Sequence, residues 1–283
     1  MLLLKKNKHL QKYLASVQGA GQMVGFAPTM GALHEGHVSL IRKANEETDC
    51  SVCSIFVNPK QFNETTDLEN YPRTPGKDIG LLASANCNVL FMPSVAEIYP
   101  PGLILNHSLD FGYLEKPMEG QHRPGHFKGV AQVMKRILKI VQPDRLYMGQ
   151  KDFQQFAIVQ NMLEQLQSPT QIVLCPIVRE ESGLAMSSRN LLLSPKQRER
   201  ASLIYKILLE TKQRIHSHPP AYLQEEAISR LNEEPDFRAE YFEIVDGKTL
   251  KPVKDLGKVD FVLACVAVRV GSVRLIDNMI LKP

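Results

Sequence analysis

One stretch of ten residues collects the groups that handle anions: Pro28-Thr29-Met30-Gly31-Ala32-Leu33-His34-Glu35-Gly36-His37. It lies between an apolar run, Met23 to Ala27, and a helical pattern running from about His37 to Glu47. In a parallel sheet, ligands bind at the loops beyond the carboxyl ends of the strands. A helix N-terminus there offers unpaired N–H groups and a partial positive charge to a phosphate. Gly31 and Gly36 let the backbone approach such a ligand closely. His34 and His37, three apart on one helical face, can both donate to phosphate oxygens. Metal binding competes as a reading, but H-E-x-x-H spaces its histidines four apart, and here Gly36 and His37 follow Glu35 directly. The glycines match neither G-x-G-x-x-G nor a P-loop. Helix capping accounts for one glycine and leaves the rest of the run unexplained.

The elements that must position this loop follow from periodicity. Met23–Ala27, Ser51–Val57, Val89–Met92, Leu146–Met148 and Ile172–Val178 read as short buried strands. Helical patterns fall between them, around Lys77–Ala85, from about Phe153 to Leu166, and where Val130, Val133, Ile137 and Val141 recur at three- and four-residue spacing. This alternation predicts the α/β class: a Rossmann-like parallel sheet with helices on both faces, over residues 1–178. After Val178 the rhythm changes to two helices, beginning near Pro195 and Ala221. Three apolar runs follow, Tyr241–Val245, Phe261–Arg269 and Val273–Leu281, the last two meeting at a hairpin turn Val270-Gly271-Ser272. Residues 179–283 are therefore expected to form a smaller C-terminal α+β lid domain with antiparallel strands.

Composition narrows the function classes. With 283 residues, 43% hydrophobic and 23% charged, the chain supports a substantial core. A formal charge of +4 suits a protein handling small anions and is too weak to argue for nucleic acid. The basic stretch Lys196–Arg214 carries Leu203, Ile204, Ile207 and Leu208 at helical spacing, the pattern of a solvated helix face. Five scattered cysteines give no disulfide framework, and Cys50 and Cys53 sit in a predicted buried strand. Leu2 to Leu4 precede the first lysines, the reverse of a secretory signal. The longest apolar run, Phe261–Val268, is far short of the ~20 residues a membrane span needs. A cytoplasmic soluble protein is expected, with no membrane partner.

Resemblance adds specificity. His34-Glu35-Gly36-His37 is similar to the HxGH signature of the nucleotidyltransferase and class I aminoacyl-tRNA synthetase superfamily. The longer string from Pro28 resembles that of the pantothenate synthetases. Further stretches resemble the same family in the same order. They are Phe56-Val-Asn58-Pro-Lys-Gln61-Phe62, Tyr71-Pro-Arg73-Thr74, Arg123-Pro-Gly-His126-Phe127, Gly149-Gln-Lys151-Asp152-Phe-Gln-Gln155, Met186-Ser187-Ser188-Arg189-Asn190 and Arg274-Leu-Ile-Asp-Asn278. Family members often carry glycine where this chain has Asn63.

The resemblance implies a two-step reaction. Pantoate attacks the α-phosphate of ATP, giving pantoyl-adenylate and pyrophosphate; β-alanine then attacks the acyl carbon, giving pantothenate and AMP. By resemblance Lys151, His34 and His37 are the catalytic group, Lys151 on the phosphates and His37 donating to the departing pyrophosphate. Lys151 at a helix start also runs against the dipole preference for acids there. Met186, Ser187, Ser188 and Arg189 resemble the KMSKS loop, with Gly183 nearby suggesting mobility. Met30, Gly31, Gly36, Gly149, Asp152 and Val178 are expected along the nucleotide. Gln61 and Gln155 are expected to grip pantoate, with Asn58 and Tyr71 beside them. Neutral amides bind hydroxyls and a carboxylate without adding charge. Mg2+ is expected with ATP, with Asp78 as an outer ligand and no protein cage visible. Arg123 and His126 border the site without an assigned role. The family also implies a homodimer held through the N-terminal domain. The alternatives are another HxGH nucleotidyltransferase acting on a phosphate acceptor, or a nucleic-acid-binding synthetase remnant, which lacks its basic stripe here.

Overall fold

The computed structural model describes residues 1–62, 68–103 and 109–283; Asn63 lies outside them. The chain groups into two compact units. The first comprises Met1–Phe111, Glu119–Gly149 and Gln155–Pro176; the second comprises Gly112–Met118, Gln150–Gln154 and Ile177–Pro283.

In the first unit, β1 (Leu2–Leu4), β2 (Val24–Thr29), β3 (Cys50–Ile55), β4 (Val89–Phe91), β5 (Arg145–Gly149) and β6 (Gln171–Cys175) form one sheet. Their order is β1-β4-β3-β2-β5-β6, and each neighbouring pair is parallel. The connections run outward from β2 through β3 to β4, then return to β5 on the other side of β2. A reversal of this kind opens a crevice at the carboxyl ends of β2 and β5, the usual ligand position in an open α/β sheet.

Helix α1 (Asn7–Gly19) packs on β2 and on the long helix further down the chain, while α2 (Glu35–Glu47) packs on β2, β3 and β5. Helix α3 (Pro75–Ser84) joins α2 over a layer containing Ala27, Ile41, Ala44, Cys53, Leu82, Leu90 and Tyr147. Short helices α4 (Val95–Ile98) and α5 (Glu119–His122) precede α6 (His126–Val141). Helix α6 buries Val130, Val133, Met134, Ile137, Leu138 and Val141, one continuous stripe. Helix α7 (Phe153–Gln165) follows β5. At the start of β5, Glu47 takes hydrogen bonds from Arg145 at 2.7 Å and Tyr147 at 3.0 Å. Lys43, with those two groups, holds the Glu47 carboxyl down to about 2.

In the second unit, β7 (Phe237–Asp246), β8 (Val262–Val270) and β9 (Val273–Lys282) form an antiparallel sheet in that order. Helices α8 (Pro195–Arg200), α9 (Ser202–Arg214) and α10 (Pro220–Glu233) accompany it. Their core gathers Ile204, Leu208, Leu223 and Leu231 with Phe242, Val266 and Val268. Val270 pairs with Val273 across the turn, and Gly271 has φ +58, so the hairpin forms where the sequence places it.

Two local expectations are corrected, the end of the strand that begins near Ile172 and the helix near Pro195. Leu2–Leu4 is a strand paired with β4, and α1 follows it without a strong sequence signal, because Leu10, Leu14 and Val17 are its only buried residues. The strand expected to reach Val178 stops at Cys175, because Pro176 has no N–H to continue the ladder. The helix expected near Pro195 is two helices, meeting at Ala201. Gly183 meets a steric requirement: its φ is +91 and a Cβ there would lie 2.2 Å from Tyr205. That backbone conformation disfavours any other residue. No helix among the described residues is long and apolar enough to cross a membrane.

Gly129 of α6 sets how closely that helix meets the turn carrying Gln61. A Cβ at this position would stand 2.2 Å from the Lys60 carbonyl oxygen. Gly129→Ala gains at most ~1 kcal/mol of helix propensity and loses about 1–3 kcal/mol to overpacking. We expect net destabilisation in urea unfolding; an unchanged or raised midpoint would show that the contact has room to relax.

Candidate functional site

The loop after β2 resolves an energetic problem first. Leaving a buried strand for a helix within five residues strands several backbone N–H groups, which cost free energy unless paired. Thr29 Oγ1 donates to the Ser54 carbonyl at 2.7 Å and accepts from Gly31 N–H at 3.3 Å. Gly31 and Ala32 both take positive φ, +85 and +48, so their amides turn to one side. The Asp78 carboxylate accepts from Ala32 N–H at 3.0 Å and Leu33 N–H at 2.8 Å. Thr74 Oγ1 donates to it at 3.0 Å, and the residue is 1% exposed. An anion seated in a concave run of amides is a favourable arrangement. Asp78 was expected as an outer magnesium ligand; the structure commits both of its oxygens to the loop.

His34 then caps α2. Its Nδ1 accepts from Gly36 N–H at 3.2 Å, and His37 Nδ1 accepts from His34 N–H at 3.3 Å. An imidazole nitrogen that accepts carries no proton, so each neutral ring holds its hydrogen on Nε2. The ring centroids are 4.1 Å apart, tilted by 42°. The site thus contains two adjacent imidazoles in the tautomer that donates from Nε2. Of the N–H groups expected to be unpaired at this helix N-terminus, those of His34 and Gly36 are bonded to the two rings.

A second group forms on the turn after β3. Asn58, 1% exposed, donates from Nδ2 to Gln61 Oε1 at 3.0 Å and to the Gly129 carbonyl at 3.2 Å. Its Oδ1 accepts from Tyr99 OH at 3.0 Å and Lys60 N–H at 3.3 Å. Burial pushes the Tyr99 phenol up to about 12, so it remains a donor at neutral pH. Gln61 Nε2 meets Met30 Sδ at 3.1 Å, which joins this group to the loop after β2. Tyr71 is buried and lies edge-on to Phe62, with ring centroids 5.7 Å apart. Arg73 turns back on the carbonyls of Leu68, Glu69 and Tyr71.

Arg123 and His126 gain a role here. His126 Nδ1 lies 2.9 Å from the Gln61 carbonyl, so it donates; its Nε2, 3.2 Å from the Arg123 guanidinium, accepts. Arg123 also reaches that carbonyl, at 3.4 Å. Glu119 approaches Arg123 at 3.6 Å. The Arg-Pro-Gly-His stretch therefore fixes the backbone of Gln61.

The first unit accordingly brings together Met30, Gly31, His34, Gly36, His37, Asn58, Gln61 and Tyr71. Gly149 ends β5, and Gln155, in the first turn of α7, is half-buried.

The second unit carries the remaining candidates. Lys151 and Asp152 lie in a 3-10 turn, Gln150–Asp152. Met186 N–H donates to the Val178 carbonyl at 3.0 Å, beside the Arg179–Ala185 bridge. Ser187 caps the 3-10 helix Ser188–Leu192 by accepting from Arg189 N–H at 3.2 Å. Asn190 Nδ2 donates to Glu180 at 2.8 Å and to the Ala185 carbonyl at 3.0 Å, closing the loop on itself. Sequence reasoning missed Asp78 as a loop anchor and Asn58 as a hub. The position of Asp78, an acid in the first turn of α3, looks like ordinary capping.

The sequence model of the pantoate–β-alanine ligase family matches residues 2–280. A pantothenate synthetase of Porphyromonas gingivalis W83 is 46% identical over 270 residues, 95% of each chain. One from Azobacteroides pseudotrichonymphae is 44% identical over 280 residues, 99% of each chain. Among solved structures, the pantothenate synthetase of Thermus thermophilus superposes with a TM-score of 0.93 at 39% identity, covering 100% of both chains. A Francisella tularensis pantoate–β-alanine ligase, complexed with β-γ ATP and β-alanine, has a TM-score of 0.84 at 35% identity and covers 99% of this chain and 98% of its own.

Asp78→Asn removes the charge and turns an NH2 group toward an N–H. We expect a loss of about 1.5–3 kcal/mol, the range for hydrogen bonds to charged groups, read by urea unfolding. A change under ~0.5 kcal/mol, typical of an inert surface site, would show that the carboxylate does not hold the loop.

Proposed function

Because this chain belongs to the pantoate–β-alanine ligase family, we propose that it joins pantoate to β-alanine as an ATP-dependent, AMP-forming ligase, through a pantoyl-adenylate. The observation that carries the site assignment is the reciprocal capping of His34 and His37, which leaves both neutral rings with the proton on Nε2.

A carboxylate has a pKa near ~3.9 and is already ionised at neutral pH, so its attack on the α-phosphate needs no general base. The obstacle is electrostatic. An anion approaches a polyanion while negative charge grows on the departing pyrophosphate, so aligned donors and fixed positive charge lower the barrier. In this reading His34 and His37 donate from Nε2 to phosphate oxygens, His37 to the departing group, and Lys151 supplies the full charge. Losing one preorganised donor of this kind typically costs ~2.7–4 kcal/mol of barrier, ~100- to 1000-fold in rate. Met30, Gly31, Gly36, Gly149, Asp152 and Val178 line the nucleotide, and Ser187, Ser188 and Arg189 beside Met186 follow its phosphates.

Gln61 and Gln155 hold pantoate, with Asn58 and Tyr71 adjoining. The support is specific for Gln61: its amide is oriented by Asn58, while its backbone carbonyl is gripped by His126. In the second step the neutral amine of β-alanine attacks the acyl carbon, the acyl–phosphate bond breaks, and AMP departs with the electron pair. The amine gives up its proton to solvent.

Magnesium fits as an ion that arrives with the nucleotide. Among the described residues no group of three or more His, Cys, Asp or Glu side chains could hold a metal. Phosphate oxygens and water are its ordinary ligands in such complexes, where it neutralises charge. The proposal extends to a cytoplasmic homodimer with its dimer contact in the N-terminal part of the chain.

Pantoate should support exchange of labelled pyrophosphate into ATP without β-alanine, and adding β-alanine should release AMP. Absence of pantoate-dependent exchange would remove the ligase mechanism. Lys151→Ala should abolish exchange, while Gln155→Ala should chiefly raise the pantoate concentration required. Normal exchange by Lys151→Ala would mean the triphosphate lies elsewhere.

A further inference from the structure

The stretch Arg274-Leu-Ile-Asp-Asn278, on β9, has no part in the mechanism above, yet two of its polar residues are deeply buried. Asp277 is 4% exposed and Asn278 2% exposed. A buried amide must satisfy two donors and an acceptor, and the partners it finds show what it holds. Asn278 Nδ2 donates to the Gln150 carbonyl at 2.8 Å and to the Lys151 carbonyl at 3.0 Å. Its Oδ1 accepts from Gln150 Nε2 at 3.0 Å. Both donors and the acceptor are thus directed at one short turn, from a residue 127 positions further along the chain than Lys151.

We propose that Asn278 is a positioning residue for Lys151, fixing the peptide groups on both sides of its Cα so that the ammonium projects in one direction. Among the described residues no hydrogen bond or close ion pair holds the ammonium, which meets the Asp277 charge only at longer range, so the backbone is where most of its aim is set. A lysine side chain retains four rotatable bonds, and fixing its root removes the largest part of the positional uncertainty at its tip. The neighbour on β9 extends the same anchoring. Asp277 takes two bonds from Arg179, at 2.6 and 3.0 Å. Arg179 in turn donates to the carbonyls of Gly183 and Asn278, and lies 4.3 Å above the Tyr205 ring. Adjacent residues of one strand therefore hold the lysine turn and the start of the loop that leads to Met186–Arg189.

The inference rests on the assignment of Lys151 to the ATP phosphates, and a double-mutant cycle separates the two. Binding of a non-hydrolysable ATP analogue is measured by calorimetry for the wild type, Asn278→Leu, Lys151→Ala and the double variant, with thermal unfolding in parallel. Asn278→Leu should weaken binding about 10-fold, within the range for misplaced site groups. In the Lys151→Ala background the same change should cost nothing further, because a residue acting through the lysine has nothing left to position. Gln150→Ala, at a half-buried position, should weaken binding ~2- to 3-fold with the same dependence on Lys151. It carries the test if Asn278→Leu does not fold. Additive losses, or full affinity in a folded Asn278→Leu, would overturn the positioning role. If Lys151→Ala binds the analogue normally, the phosphate assignment fails and the premise goes with it.

Discussion

A chain that leaves the middle of a buried sheet and enters a helix within five residues has amide groups to satisfy and no sheet neighbours to satisfy them. The rest of the site follows from how this loop answers that constraint. An anion, Asp78, fills the concave run at Ala32 and Leu33. Two imidazoles take the next N–H groups. In the proposed mechanism the histidines serve structure and chemistry through opposite edges of the same rings. The nitrogen that caps the helix must be unprotonated, and that requirement places the proton of each neutral ring on the other nitrogen. Capping and the proposed catalysis are compatible within a single arrangement.

The second group of candidate residues depends on close approach. Gly129 lets α6 press its backbone against Lys60 and Gln61, which brings its carbonyl within reach of Asn58. His126, at the start of the same helix, grips the Gln61 carbonyl. One helix thus supports Gln61 from its first turn and from its second. A glutamine with free rotamers is a poor discriminator of hydroxyl and carboxylate groups; one oriented by a buried asparagine and a fixed backbone is a better one.

The second unit uses the same strategy with different parts. Buried polar residues of β9 bind carbonyls and a guanidinium from segments far away in sequence, and every such group has a partner. Burial pushes the Asp277 carboxyl upward while Arg179 and the Lys151 charge pull it back. A buried ion pair adds little to stability over an apolar packing, but breaking it is costly. Such a pair suits a place where geometry must be kept.

Much of this was legible in the linear chain. Alternation of apolar runs with helical patterns gave the parallel sheet, and the change of rhythm after Val178 gave the antiparallel one, because both periodicities are local properties. Gly271 as a hairpin residue is local for the same reason. The ordered motifs carried the family. What no local pattern contained were the partners: Asp78 beneath the loop 45 residues before it, His126 behind Gln61, Asn278 behind Lys151. Those hydrogen bonds exist only once strands are in register and helices are docked, so their identity is a property of the tertiary arrangement. The sequence by itself determined which side chains were available for the proposed chemistry; the fold decided which of their atoms are engaged and by which distant partners.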